Sequence, residues 1–138
     1  MARTIGIDPG VRRCGVAITD SGLTMAFPRP ALANDERLID VLRALVSEED
    51  ATTIVVGRPI ALSGNETAST QSADELYQRL VTAFGEIEVI QWDERLTTFE
   101  AQRSLAQAGI RAKAQRDHVD SAAAVIMLQN YVDGLSAD

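Results

Sequence analysis

The run Thr52-Thr53-Ile54-Val55-Val56-Gly57 constrains the fold more than any other stretch of this chain. It is β-branched and almost wholly apolar, the composition of a central strand buried on both faces, and such strands are usually parallel to their neighbours. Helical patterns flank it. Upstream, Leu38, Val41, Leu42, Leu45 and Val46 recur at the spacing of one helical stripe, with Asn34 as the expected N-cap and acidic Asp35 and Glu36 behind it. Downstream, Ala73, Leu76, Tyr77, Leu80 and Phe84 form a second stripe that Gly85 closes. The pattern predicts an α/β chain, and 138 residues suit one domain with a three-layer core, expected to span residues 1–138.

The N-terminal third reads differently. Thr4-Ile5-Gly6-Ile7 is a short apolar strand that runs into Asp8-Pro9-Gly10. Pro9 fixes its own φ and Gly10 tolerates angles that other residues avoid, so Asp8 stands on a short, stiff corner. A carboxylate held that way suits a metal ligand; it equally suits a residue that ends the strand and bonds to the turn. Cys14 to Thr19 alternates at period two, Asp20-Ser21-Gly22 is a turn, and Leu23 to Phe27 continues as a strand expected to end at Pro28-Arg29-Pro30. Together they read as an antiparallel meander.

Beyond the second helix, Ile87 to Trp92 is a further strand that runs into Asp93-Glu94-Arg95-Leu96-Thr97-Thr98. Adjacent strand residues face opposite ways, so Asp93 and Glu94 can face one site only if the strand has already broken. Thr97 and Glu100 form a capping box that predicts a helix ending at Gly109, followed by a basic loop over residues 111–116 and a last, apolar helix from Val119 to about Val132. Asp120 lies in its first turn, where it either caps the helix or, with Ala123, Ala124 and Met127 on its face, approaches the strand ends.

Charge and cysteine usage narrow the function. A net charge of −7 argues against nonspecific capture of nucleic acid, which relies on many neutralised phosphates. With 4% aromatics the chain has little to offer a base-stacking mode of recognition. Cys14 is the single cysteine, so there is no disulfide framework and no cysteine-rich zinc site, and its place in a strand pattern makes it a core residue. The N-terminus leads into the first strand without a signal-like apolar region and no apolar run is long enough to span a bilayer, so a cytoplasmic location and no membrane partner are expected.

Asp8 ends the first strand, Glu94 the last, and Asp120 begins the helix that packs back on the sheet. Sites in open sheets form outside the carboxyl ends of parallel strands, which brings the three carboxylates together. Like charges held so closely make sense mainly if cations neutralise them, and hard oxygen ligands without His or Cys favour Mg²⁺ or Mn²⁺.

Ile5-Gly6-Ile7-Asp8-Pro9-Gly10 with Arg13-Cys14-Gly15-Val16-Ala17, then Val55-Val56-Gly57-Arg58-Pro59, Asp93-Glu94-Arg95-Leu96-Thr97-Thr98 and Val119-Asp120-Ser121-Ala122-Ala123 resemble the YqgF/RuvX family, small relatives of the RuvC resolvases. The resemblance implies a ribonuclease H-like fold, a five-stranded mixed sheet of order 3-2-1-4-5 with strand 2 antiparallel, flanked by helices. It implies a nuclease site of Asp8, Glu94 and Asp120 holding two metal ions, with Asp8 bridging them. It makes Arg12, Arg13, Arg58, Arg95, Lys113 and Arg116 candidates to contact nucleic acid, though each also reads as a solvated surface cation, and His118 a candidate for proton transfer. The family commonly has Leu where Arg58 stands. The expected substrate is precursor 16S ribosomal RNA, cut near its 5′ end; the alternative is branched DNA, resolved by a homodimer. A sugar-kinase or actin-like ATPase would need a second lobe that this length lacks, and the presence of all three carboxylates weighs against the remaining alternative, a noncatalytic ribosome-assembly or nucleic-acid-binding factor.

Overall fold

The computed structural model describes residues 2–59, 64–94 and 121–135. Strands β1 (Arg3–Asp8), β2 (Arg13–Thr19), β3 (Ala26–Ala33), β4 (Ala51–Arg58) and β5 (Glu88–Asp93) form one sheet in the order β3-β2-β1-β4-β5. β2 is antiparallel to both of its neighbours, while β1, β4 and β5 are parallel. This is the 3-2-1-4-5 sheet that the resemblance implied. Helices α1 (Leu38–Glu49), α2 (Ala68–Ala83) and α3 (Ala122–Leu135) complete the described elements.

Strand side chains alternate between faces, and the two faces are built from different residues. Ile5, Ile7, Val16, Ile18, Ile54 and Val56 point to one side, where they pack with Leu38, Leu42 and Leu45 of α1 and Leu76 and Leu80 of α2. Cys14 is fully buried in that layer, as a core residue. The opposite side is thinner. There Ala17 and Val55 meet Ala124, Val125, Met127 and Leu128 of α3, with Ile90, Trp92 and Tyr131 at the margin. A Cβ on Gly6 would lie 3.0 Å from Leu128 Cβ, so the missing side chain lets the helix approach the sheet.

Several local expectations fail for identifiable reasons. β3 begins at Ala26 and continues through Pro28 and Pro30 to Ala33 rather than ending there. It is an edge strand, so a proline's missing N–H need not interrupt the ladder. The residues before it form a turn: Leu23 has φ of 56°, and the Asp20 carboxylate accepts from the backbone of Thr24 at 2.8 Å and Met25 at 3.0 Å. Asn34 does not cap α1, which starts at Leu38 after a turn in which Asp35 accepts from the Arg37 N–H at 2.9 Å. On α1 itself Val41 is exposed rather than part of the buried stripe, and Ala123 of α3 is exposed while Ala124 is buried. By contrast α2 is capped by Thr67 in a reciprocal pair with Thr70, which the sequence reading did not identify. The helix expected after Thr97 and the basic loop over 111–116 lie outside the described residues. No helix among the described residues is long and apolar enough to cross a membrane.

Filling the thin face should be costly. Gly6→Val is expected to lower stability by ~1–3 kcal/mol through overpacking against Leu128. In urea unfolding, the loss in the double variant Gly6→Val/Leu128→Ala should be smaller than the sum of the two single losses.

Candidate functional site

Asp8 ends β1 on the α3 side of the sheet, in phase with Gly6. β5 ends at Asp93, and at Glu94 the backbone is already helical. The strand has therefore broken where the chain needs it to, and Glu94 is not obliged to face away from the site. β4 lies between β1 and β5, so the two carboxylates can meet only across its end. The residue there is Gly57. A Cβ at that position would stand 3.1 Å from both Cδ and Oε2 of Glu94 and 2.9 Å from Met127 Sδ. On the other flank Asp8 is paired with Gly15 of β2. Two positions without side chains thus give the carboxyl groups their space. The sequence reading assigned Gly57 no role; a glycine at the end of an otherwise β-branched strand is the available signal of close approach.

The pair is electrostatically unfavourable as it stands. Burial pushes the Asp8 carboxyl above the usual range, partly offset by its hydrogen bond with Glu94. Glu94 is pushed up to about 8, first by burial, then by the charge of Asp8, the hydrogen bond to it and the charge of Asp93. At neutral pH Glu94 therefore keeps a proton and donates it towards Asp8. Its Oε2 is buried and finds no hydrogen-bond partner among the described residues. An unsatisfied buried oxygen beside a second carboxylate, with only oxygen donors at hand, fits a hard divalent cation such as Mg²⁺ or Mn²⁺. Among the described residues no three metal-ligating side chains are grouped, and the expected third, Asp120, lies outside them.

The corner beneath Asp8 is braced from β3. Asn34 donates its side-chain amide to the Gly10 carbonyl at 2.6 Å and its backbone N–H to the Arg12 carbonyl at 2.9 Å. This explains why it is not a helix cap. A Cβ on Gly10 would be 2.3 Å from the Arg13 carbonyl oxygen, so the tight turn requires glycine. The turn leaves Arg12 and Arg13 exposed next to Asp8.

Arg58 is committed elsewhere. Its Nε and terminal nitrogen bond both oxygens of Asp74 at 2.8 and 3.1 Å, and it also pairs with Glu66. Gln91 donates to the same Asp74 at 2.7 Å, and Thr70 bonds the Pro59 carbonyl. Arg58 thus ties the end of β4 to α2 and β5. Trp92 turns towards α3, edge-on to Tyr131 at 5.8 Å. Arg95, Lys113, Arg116, His118 and residues 60–63 lie outside the described residues.

Comparison with known proteins agrees with this architecture. The family described as "RuvX: Holliday junction resolvase" matches residues 2–134. A Mycobacterium tuberculosis protein named "Putative pre-16S rRNA nuclease" is 41% identical over 133 residues, covering 95% of this chain and 78% of its own. A protein of the same name from Ruminiclostridium cellulolyticum is 34% identical over 142 residues, covering 99% and 97%. Among solved structures, T. thermophilus RuvC in complex with a Holliday junction substrate aligns over 100% of this chain and 99% of its own, with a TM-score of 0.66 at 13% identity. Fowlpox virus resolvase with Holliday junction DNA aligns over 97% and 99%, with a TM-score of 0.62 at 10% identity. Such low identities speak to fold, and the fold is that of the RuvC-like, ribonuclease H-like resolvases.

The raised Glu94 pKa has a signed consequence for the metal-free protein. The folded state holds a proton that the unfolded chain releases above its ordinary value of 4.5, so this contribution to stability is complete below that pH and is lost as pH rises through about 8. Glu94→Gln removes the ionisation. In thermal melts of chelator-treated protein the variant should exceed the parent at pH 8, and the advantage should vanish near pH 4.5.

Proposed function

Because the chain belongs to the RuvX family, we propose that it is a metal-dependent endonuclease which hydrolyses phosphodiester bonds in structured nucleic acid, cutting near the 5′ end of precursor 16S ribosomal RNA in the cytoplasm. The observation that carries the reading is the Asp8–Glu94 pair across Gly57, two buried carboxyl groups whose mutual repulsion is relieved only by a proton or a cation.

In this reading Asp8, Glu94 and Asp120 are the residues that would hold Mg²⁺ or Mn²⁺, with Asp8 central. When bound, a pair of such ions supplies an activated water and neutralises charge on the leaving 3′ oxygen. The protein's own part is positioning. The Pro9-Gly10 corner, braced by Asn34, holds the Asp8 carboxylate still, and the break after Asp93 swings Glu94 over Gly57 to meet it. Arg12 and Arg13, exposed on the braced turn, are placed to take phosphates flanking the cut. Arg58 orders the end of β4 through Asp74 and Glu66 instead of reaching for a phosphate. Arg95, Lys113 and Arg116 are assigned further phosphate contacts, and His118 proton transfer. With a net charge of −7, binding rests on these few focused cations rather than on a broad basic surface. The whole chain acts as one nuclease domain.

The fold likeness to RuvC and the fowlpox resolvase supports a second reading, resolution of Holliday junctions, for which a homodimer would be needed to make two symmetric cuts. Side-by-side incubation of a precursor 16S rRNA and a four-way DNA junction with Mg²⁺ separates the two. Cleavage of the RNA is expected; cleavage of the junction alone would overturn the RNA assignment, and cleavage of neither would overturn the nuclease. Chelation should stop the reaction and added Mn²⁺ should restore it. Asp8→Asn should reduce cleavage to background while circular dichroism and the melting transition show an intact fold.

A further inference from the structure

We infer that Ser121 is a positioning residue for the metal-binding carboxylates: its hydroxyl, seated in a notch between β2 and β3, fixes the start of α3 against β2, the strand that pairs with the Asp8-bearing β1. The inference rests on the reading of Asp8, Glu94 and Asp120 as metal ligands.

Ser121 is fully buried. Its Oγ accepts a hydrogen bond from the Val16 N–H at 3.0 Å and donates one to the Arg29 carbonyl at 2.6 Å. Val16 and Arg29 face each other across β2 and β3 where the register shifts, between Cys14 and Val16. The irregularity leaves one donor and one acceptor of the ladder for another partner, and a hydroxyl is the smallest group that serves both at once. Alanine would serve neither.

The anchor lies close to the site in two directions. On its other side Val16 pairs with Ile7, and the next partners along are Asp8 and Gly15. Along the chain Ser121 directly follows Asp120. One side chain therefore links the residue that follows Asp120 to the strand paired with the Asp8-bearing β1, across 105 residues of sequence. Leu128 on Gly6 and Met127 at Gly57 hold α3 by apolar contact near the site, and its other polar tie to the sheet lies further from Asp8, where Gln129 accepts from the Ala26 N–H at 2.9 Å and donates to the Thr24 carbonyl at 3.0 Å. Apolar packing holds the helix down but has no direction, whereas the two opposed hydrogen bonds of Ser121 fix its rotation and its slide just before its first turn, as those of Gln129 do further along. Metal ligands tolerate little play, and loss of the groups that orient them typically lowers metal affinity by about 10–100-fold.

Thr19 offers a matched control. It is also buried, its Oγ1 accepts from the Thr4 N–H at 2.9 Å, and it sits at the end of the β1–β2 pair away from Asp8. The test is Mn²⁺ titration calorimetry on the full chain, with Asp8→Asn as the blank, alongside melts of chelator-treated protein. Ser121→Ala and Thr19→Val should both melt below the parent. Only Ser121→Ala should bind Mn²⁺ more weakly, by about tenfold or more. If Ser121→Ala does not fold, Ser121→Cys, whose thiol fills the notch but bonds weakly, carries the same comparison. Parental Mn²⁺ affinity in the folded Ser121 variant, or an equal loss in Thr19→Val, overturns the positioning role. A parent protein that binds no more Mn²⁺ than Asp8→Asn overturns the metal reading itself, and the inference falls with it.

Discussion

Two carboxyl groups that repel one another are held together across the end of a strand whose residue at that point is glycine. Much of the local structure follows from keeping Asp8 and Glu94 there. Their meeting needs β4 between β1 and β5, no side chain at Gly57, a stiff corner after Asp8 and a break after Asp93. Without a cation the arrangement costs stability, because burial and the neighbouring Asp8 push the Glu94 carboxyl up to about 8. Folding tolerates such a cost only where the rest of the sheet is well packed.

That packing is supplied by the opposite face. The layer beneath α1 and α2 is made of large aliphatic side chains, most of them fully buried, and carries the bulk of the apolar burial. The face under α3 is made of small residues and admits the helix closely at Gly6 and Gly57. Division of labour follows from side-chain size: one face stabilises, the other leaves room for chemistry at its open end. Polar ties then set the rims. Asn34 holds the β1–β2 turn, Arg58 and Gln91 converge on Asp74 to hold the ends of β4 and β5 to α2, and Ser121 holds the start of α3 to the sheet.

Much of this was legible in the chain. The β-branched run at 52–57 announced the central strand, helical stripes announced α1 and α2, and the Asp8 corner and the Asp93-Glu94 break announced strand ends bearing carboxylates. What was not legible depended on partners distant in sequence. Asn34 has the composition of a helix cap, and only the return of β3 beside the β1–β2 turn gives it a different task. Pro28 and Pro30 look like terminators until β3 is seen to be an edge strand. Arg58 looks like a phosphate ligand until Asp74, a full turn and more into α2, is brought beside it. Ser121 carries no local signal at all, because the notch it fills exists only after β2 and β3 have paired out of step. Periodicity reports which face a residue occupies; it does not report which backbone group waits there.

The most direct measurement is anomalous diffraction from crystals of the protein soaked in Mn²⁺. Mn²⁺ is expected over Gly57, coordinated by the carboxylates of Asp8 and Glu94, with the hydrogen bond between the two carboxyl groups gone. Mn²⁺ bound elsewhere on the molecule, with Asp8 and Glu94 still sharing their proton, would contradict the account.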